Sequence, residues 1–544
     1  MRTRTSSVAS AVVALLAIAP QLSAAAAPSR PGHVVASRAS HAYDGRSALR
    51  DLGYVSARSP VHAAAKAKVA RLAARLHSGP GSARPAARVT PPSIGASWRG
   101  VDDQTLSPPD TTGAIGPSSY LEIINLQFGI YTRTGAPTAT GNLQTLTGHP
   151  QFNMSDPMIF WDPNTQRFYY NVWDTTQASM AFGFSKTKNP ADLTSAWCKY
   201  TATFGYSSSS APDYPKFGQT KDFLLIGVNF YPTFSTTLST QSDLLWVTKP
   251  PGSAAITTCP SATTFKAGKF TNLRNVDGSQ AFTPVPAIQA DASPQGWVVA
   301  SADVENGSPG DFITMFQVKP SVADPTVPSI SAPHEFTVPN YQMGPNAPQK
   351  GTDRLLDTLD GRFKHAVSSI DPRTGKNMVW TSHTVLGGVG TEARWYEIQP
   401  TPLATPTLFQ SGVATDPSLF VFNDGISSDR TVKPSGTAHG SNMVMGFNTS
   451  STTKFTAIQM VSKVRARAQS AFVRVKQSPG KNEDFGCASA GSTCRWGDYS
   501  GATPDPGASL TAPSGAVWLT NEWNATSTNP NGVWWRTWNW QATP

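Results

Sequence analysis

One weakly similar unit recurs seven times between Asp110 and Trp540: a short polar residue, often Asp, a small or apolar strand, a turn, and a β-rich hairpin. The clearest openings are Asp110-Thr-Thr-Gly-Ala-Ile-Gly, Asp156-Pro-Met-Ile-Phe-Trp, Asp213-Tyr-Pro-Lys-Phe-Gly and Asp498-Tyr-Ser-Gly-Ala, with looser versions near Thr283, Asp360 and Ser435. Such a unit cannot bury its apolar face alone. Stacked in fixed order around an axis, the units bury one another, which is the sequence mark of a radial β array. The expected fold is therefore all-β, a single β-propeller of seven blades. Six or eight remain open because the Thr283 and Ser435 openings are weak.

The intervals between openings are 46, 57, 70, 77, 75 and 63 residues. A four-stranded blade needs only about 40 to 50, so the central units must carry long inter-strand loops. Strand signals within units are plain in Tyr120-Leu-Glu-Ile-Ile-Asn, Arg167-Phe-Tyr-Tyr-Asn-Val-Trp, Asp222-Phe-Leu-Leu-Ile-Gly-Val, Gly296-Trp-Val-Val-Ala-Ser, Met378-Val-Trp-Thr-Ser-His and Ala516-Val-Trp-Leu-Thr-Asn-Glu-Trp. They are rich in β-branched and aromatic residues and bounded by Pro, Gly, Asn and Asp. Asp162-Pro-Asn-Thr and Asp371-Pro-Arg-Thr-Gly read as hairpin turns. The closing run Val533-Trp-Trp-Arg-Thr-Trp-Asn-Trp could stack sugars on its indoles, but a terminal strand packed between the first and last blades is the better reading.

Net charge is +10, which invites a nucleic-acid partner until the charge is located. Residues 1–98 hold 13 Lys and Arg against 2 Asp and Glu, whereas the remainder holds 31 against 32. The body is close to neutral, so nucleic acid is not an expected partner. Arg2, Arg4, the apolar run Ala11 to Ala19 and the small residues to Ala27 read as a signal peptide over 1–27. No segment is long and apolar enough to suggest a transmembrane span. Residues 28–95, basic and rich in Ala and Pro, read as a propeptide or mobile leader with one amphipathic helix around Ala63 to Arg75; a membrane- or wall-attracted arm is the alternative. The propeller is assigned to 96–544. The expected location is secreted or extracellular, with the periplasm as an alternative, and the expected state is a monomer.

Four cysteines in an exported chain this long suggest two disulfides. Cys487 and Cys494 would clip one loop and Cys198 would then pair with Cys259, although the sequence allows three connectivities.

At Arg394-Trp-Tyr-Glu397 and Arg495-Trp-Gly-Asp-Tyr-Ser500 the chain resembles a group of secreted bacterial β-propeller proteins, mostly without an assigned activity. The resemblance extends through Asp110 to Pro117, Asp213 to Gly218, Leu356 to Arg362, Ser382 to Val385 and Thr520 to Trp523. Similar proteins follow the R-W-G-D-Y-S run with an acidic, Cys-containing segment; here Asp505-Pro506 leads into Gly-Ala-Ser-Leu-Thr. The resemblance implies a fold and an exported location, and brings no catalytic residues.

In a propeller the innermost strands line the channel, so the opening residues should converge at one mouth. Asp110, Asp156, Asp213, Asp360 and Asp498 would then form a ring of carboxylates, with Arg362 and Arg495 as the nearest partners and Tyr214 or Trp496 at the rim. Carboxylates that close bind a cation such as calcium, pair with arginine, or raise one another's pKa. Taken singly, each Asp is better explained by fixing the turn it begins. His365, His383 and His439 could also meet at a mouth, without the spacing of a metal site. No G-x-S-x-G elbow, H-E-x-x-H or phosphate-cradling loop is present. The leading expectation is an extracellular ligand, a carbohydrate or cell-surface polymer, bound at one mouth by Asp110, Asp156, Asp213, Tyr214, Arg362, Arg495, Trp496 and Asp498. The first alternative is a polysaccharide hydrolase or lyase using Asp213, Asp498 or Asp360. The second is a protein-binding adhesin or scaffold.

Overall fold

The computed structural model describes residues 29–37, 60–76, 89–150, 153–430, 440–489, 493–507, 515–525 and 533–544. The fold is nearly all β. Among the described residues the strands form seven consecutive antiparallel meanders. Their first strands are Thr112–Ile115, Met154–Asp162, Ala211–Gln219, Phe282–Pro286, Phe363–Asp371, Phe420–Ser428 and Gly501–Pro504. Each first strand touches the next, and the seventh touches the first, so the meanders run around a ring.

Aromatic and branched residues drive this arrangement, because each meander exposes two faces that only its neighbours can cover. Phe160 of the second unit packs on Phe217 of the third, ring centroids 4.5 Å apart. Trp246 and Val298 meet between the third and fourth units, Trp395 and Met445 between the fifth and sixth, and Met460 and Trp540 between the sixth and seventh. Tyr120 and Trp518 stack across the join between the first and the last. Each large side chain so buried contributes about 1.5–3 kcal/mol.

The repeated opening has a backbone cause. The ladder of the first strand is interrupted at Ser155/Met158, Asp213/Lys216, Phe282/Val285 and Phe422/Gly425. At these interruptions Asp156, Tyr214, Thr283 and Asn423 take left-handed φ values of 57°, 57°, 51° and 53°. Asp and Asn adopt this conformation readily; a Tyr or β-branched Thr there is strained. A proline follows in three cases, Pro157, Pro215 and Pro284, where the bulge asks for no ladder hydrogen bond. The third and fourth units close so tightly here that a Cβ on Gly227 would run into the Pro284 carbonyl.

Four expectations need correction. The sixth unit opens on Phe420–Ser428, not at Ser435, which lies outside the described residues. The Trp-rich terminal strand Trp535–Thr543 is not the closing strand: it is interior to the last sheet, between Val517–Asn524 and Ser93–Arg99. The ring is completed by Ser93–Arg99, so the body begins slightly before residue 96. Nor is the whole 28–95 segment a free arm. Ser29–Ala36 pairs with the outer strands of both the second and third units, joining them into one nine-stranded sheet, and Pro60–Leu76 is a helix. The signal-peptide assignment falls outside the described residues.

Both disulfides have the expected pairing, Cys198–Cys259 and Cys487–Cys494. Among the described residues no helix is long and apolar enough to cross a membrane.

Candidate functional site

Because the first strands all enter the ring at their bulged ends, the opening residues gather there. Asp110 Oδ1 accepts from the Asp498 backbone N–H at 3.1 Å, and its Oδ2 from Asn125 Nδ2 at 2.6 Å. The Tyr499 hydroxyl donates to Asp156 Oδ2 at 2.7 Å, and the Tyr214 hydroxyl to the Asp498 carbonyl at 2.8 Å. Arg362 lies over the Tyr214 ring, 4.5 Å from its centroid, while holding both oxygens of Asp360. Arg495 Nη2 donates to Asp498 Oδ2 at 2.7 Å. Asp110, Asp156, Asp360 and Asp498 thus belong to one connected group, and Asp213, directly before Tyr214, lies within electrostatic reach of Asp156, Arg362 and Asp498.

Electrostatics divide the group. Burial first, then the neighbouring Asp498 and Asp156, push the Asp110 carboxyl well above the usual range. Burial also raises Asp156, against hydrogen bonds from Ser155 and Tyr499. Asp213 is pushed up to about 8, by burial and then by the Asp156 carboxylate, with Arg362 opposing. Asp360 goes the other way: burial would raise it, but the Arg362 guanidinium outweighs burial and holds it at about 2. Lys216 is fully buried, its Nζ 3.5 Å from the centroid of the Tyr214 ring and 3.4 Å from that of Tyr499, and burial pushes its pKa well down. Asp213 is the most exposed residue of the carboxylate group, of intermediate exposure where the other four are buried.

This geometry sorts the candidates. Asp360, closed off and held by a bidentate guanidinium, is not free to exchange a proton with a ligand. Asp498 is nine-tenths buried and ion-paired. Trp496 is not at a rim: it is 1% exposed, packed with Phe422 and the Cys487–Cys494 bridge, and donates through Nε1 to Asn448 at 3.0 Å. The histidines do not form a metal triad. His365 Nδ1 pairs with the Ile426 carbonyl, and His383 with the Gly361 carbonyl and the Tyr396 hydroxyl, while His439 lies outside the described residues. Burial lowers His365 to about 4 and His383 to about 3, so both rings stay neutral. Among the described residues no cluster of three or more His, Cys, Asp and Glu is arranged to hold a metal. Several of the oxygens that a cation such as calcium would need are engaged by Asn125, Ser155, Tyr499, Arg362 and Arg495, whereas Asp498 Oδ1 has no hydrogen-bond partner among the described residues.

Two contributions were missed at the level of sequence. One is the leader helix Pro60–Leu76. Its Lys66 is buried, and Nζ donates to Thr358 Oγ1 at 2.7 Å and to the Leu359 carbonyl, immediately beside Asp360. Burial lowers this lysine to about 8, against the attraction of Asp357 and Asp360. The other is a set of asparagines at matching places in second strands: Asn125, Asn229, Asn448 and Asn521. Asn125 Oδ1 accepts the N–H of left-handed Asp156, and Asn229 Oδ1 that of left-handed Thr283, both at 3.0 Å. Asn448 and Asn521 both accept from the side chain of left-handed Asn423. Each amide holds a left-handed opening in place. The signal was present in Ile-Ile-Asn125, Gly-Val-Asn229 and Thr-Asn521.

No family model and no curated protein matches the chain. Solved structures give slight likenesses. Raptor from Chaetomium thermophilum aligns at 9% identity and a TM-score of 0.35 over 83% of this chain, which spans only 29% of that protein. An ACO/RPE65 chimera aligns at 11% and 0.35, over 68% of this chain and 71% of the other. A fructofuranosidase from Schwanniomyces occidentalis complexed with fructose aligns at 9% and 0.23, over 66% and 75%. Scores this low carry no argument about what the chain does; the fold rests on its own strand pairing.

Proposed function

We propose that the chain is an exported seven-bladed β-propeller that binds carbohydrate or a cell-surface polymer at the mouth where its first strands begin. The carrying observation is Asp213, a residue of intermediate exposure whose carboxyl burial raises to about 8, beside a tyrosine ring under a guanidinium. A carboxyl that is neutral at pH 7 both donates and accepts, as sugar hydroxyls require. Export is supported by two disulfides in a chain without free cysteines among the described residues. The leader helix lies at this mouth through Lys66, so the ligand competes with it or binds after it leaves.

The test is a glycan and polysaccharide binding screen on the secreted protein with Asp213→Asn and Asp213→Ala alongside. Binding should weaken at least tenfold in Asp213→Ala and less in Asp213→Asn, which keeps a donor and an acceptor. Absence of binding to any glycan by a folded protein, with or without its leader, defeats the proposal. A second reading draws on the same raised carboxyl, which suits a general acid on a glycosidic bond. Product release from a polymer that Asp213→Asn abolishes would select the hydrolase. Mouth substitutions that change neither binding nor turnover would favour the protein-binding scaffold.

A further inference from the structure

Away from that mouth, on the second unit, His149, Asp174 and Thr201 come together from three segments. The short helix Leu143–Thr147 ends at left-handed Gly148, and the His149 N–H is fixed by Thr147 Oγ1 at 3.1 Å. His149 Nδ1 lies 2.7 Å from Asp174 Oδ2, and its Nε2 lies 2.7 Å from Thr201 Oγ1. The other oxygen of Asp174 accepts the Thr176 N–H at 3.0 Å and the Thr176 hydroxyl at 2.8 Å, so the carboxylate cannot swing away. All three side chains line a cavity of about 500 Å³, within the range of small-molecule sites.

We propose that Thr201, His149 and Asp174 form an acyl-transfer triad that hydrolyses small carboxylic esters. A nucleophile within hydrogen-bond reach of a base, itself oriented by a third group, is the arrangement that activates a hydroxyl. Asp174 takes the Nδ1–H, which leaves Nε2 as the acceptor for the Thr201 proton. Thr201 Oγ1 then bonds to the ester carbonyl carbon as its proton passes to His149 Nε2. The carbon–oxygen bond to the leaving alcohol breaks, and His149 returns the proton to that alcohol. Water, deprotonated by His149, attacks the acyl-threonine; the acid departs and Thr201 recovers its proton. Asn153 and Gln177 line the same cavity; Asn153 Nδ2 donates one hydrogen to Thr176 Oγ1 at 3.1 Å and carries a second, so the two carboxamides are the candidate donors to the oxyanion.

The surroundings choose the substrate. An extended peptide would need the outer edge of Trp197–Thr203, but Ser29–Ala36 already occupies it, with Val35 opposite Thr201. A compact acyl ester needs no strand edge, and Val35, Ala36 and Pro150 offer apolar wall to its acyl group. Ser37 stands nearby, its Oγ 3.3 Å from Thr201 Oγ1, and is the competing hydroxyl.

The full chain should be treated with a fluorophosphonate and digested for peptide mass spectrometry, and its hydrolysis of p-nitrophenyl acetate measured. An adduct on Thr201 is expected, together with hydrolysis that falls at least about 100-fold in Thr201→Val and His149→Gln and persists in Ser37→Ala. Thr201→Val keeps the β-branched shape; if it fails to fold, the labelling of the unaltered protein still decides. An adduct confined to Ser37, no adduct at all, or unchanged hydrolysis in a folded Thr201→Val overturns the proposal.

Discussion

Replacing Arg362 by Met should cost about 3–5 kcal/mol, because it leaves a buried carboxylate without its cation. Asp360 is 0% and Arg362 1% exposed, so water cannot take the guanidinium's place. Two charge-assisted hydrogen bonds are lost, and the cation that lies 4.5 Å from the centroid of Tyr214 and 4.9 Å from that of Phe282 goes with them. The electrostatics of Asp360 lead to a second figure. Asp360 moves from 3.8 to about 2, which is worth about 2 kcal/mol at neutral pH. A depressed carboxyl stabilises the fold above its unfolded pKa and loses that contribution as the pH falls through the folded one. The deficit of Arg362→Met should therefore be largest near pH 7 and shrink below about pH 3. Urea unfolding followed by tryptophan fluorescence reads both quantities. Arg362→Met with Asp360→Asn should recover more than half of the loss, since the residue left behind is then neutral. A single-variant cost under about 1 kcal/mol, the level of an exposed pair, or a double variant no better than the single, would refute the reasoning.

Three further outcomes follow from the same structure. Asp213 is raised to about 8, so the fold is favoured while this group keeps its proton and loses stability as the pH rises from about 4 through 8; Asp213→Asn should flatten that part of the stability profile measured by urea unfolding. Asn229→Ala removes the acceptor for Thr283 N–H and the donor to Thr283 Oγ1, and should cost about 2–3 kcal/mol by the same measurement. Replacing Cys198 and Cys259 by Ser together opens a crosslink with a sequence separation of 61 and should destabilise by about 4 kcal/mol in the loop-entropy model.

Strands and hairpin turns were legible because each is written in neighbouring residues. Asp162-Pro-Asn-Thr does join Met154–Asp162 to Arg167–Asp174, and Asp371-Pro-Arg-Thr-Gly joins Phe363–Asp371 to Lys376–Gly387. Both cysteine pairs were legible too, one from proximity and the other by elimination. The sixth opening was misplaced because its left-handed residue is Asn423, inside Phe-Asn-Asp-Gly, with no leading Asp. Trp496 was assigned to a rim because its sequence neighbours are charged; its burial depends on Phe422 and a disulfide that other segments supply. The contacts of Lys66 span 292 and 293 residues of sequence, and nothing in an Ala-rich helix names Thr358 or Leu359 as its partners. The carboxylate group lies between these extremes. Periodicity brought its members to one place, but their protonation is set by distances to Arg362, Asp156 and Asp498 that only the folded ring determines.

The seventh meander takes three strands from the end of the chain and one, Ser93–Arg99, from near its beginning, with Ser93 opposite Thr543 and Arg99 opposite Trp538. During synthesis that strand emerges long before Trp535–Thr543, the strand it pairs with. Such long-range pairing is slow to form, and meanwhile an open edge invites pairing with another chain. The corollary is a dependence of one end of the ring on the other: a chain cut before Trp535 lacks the strand that receives Ser93–Arg99, and its last sheet stays open.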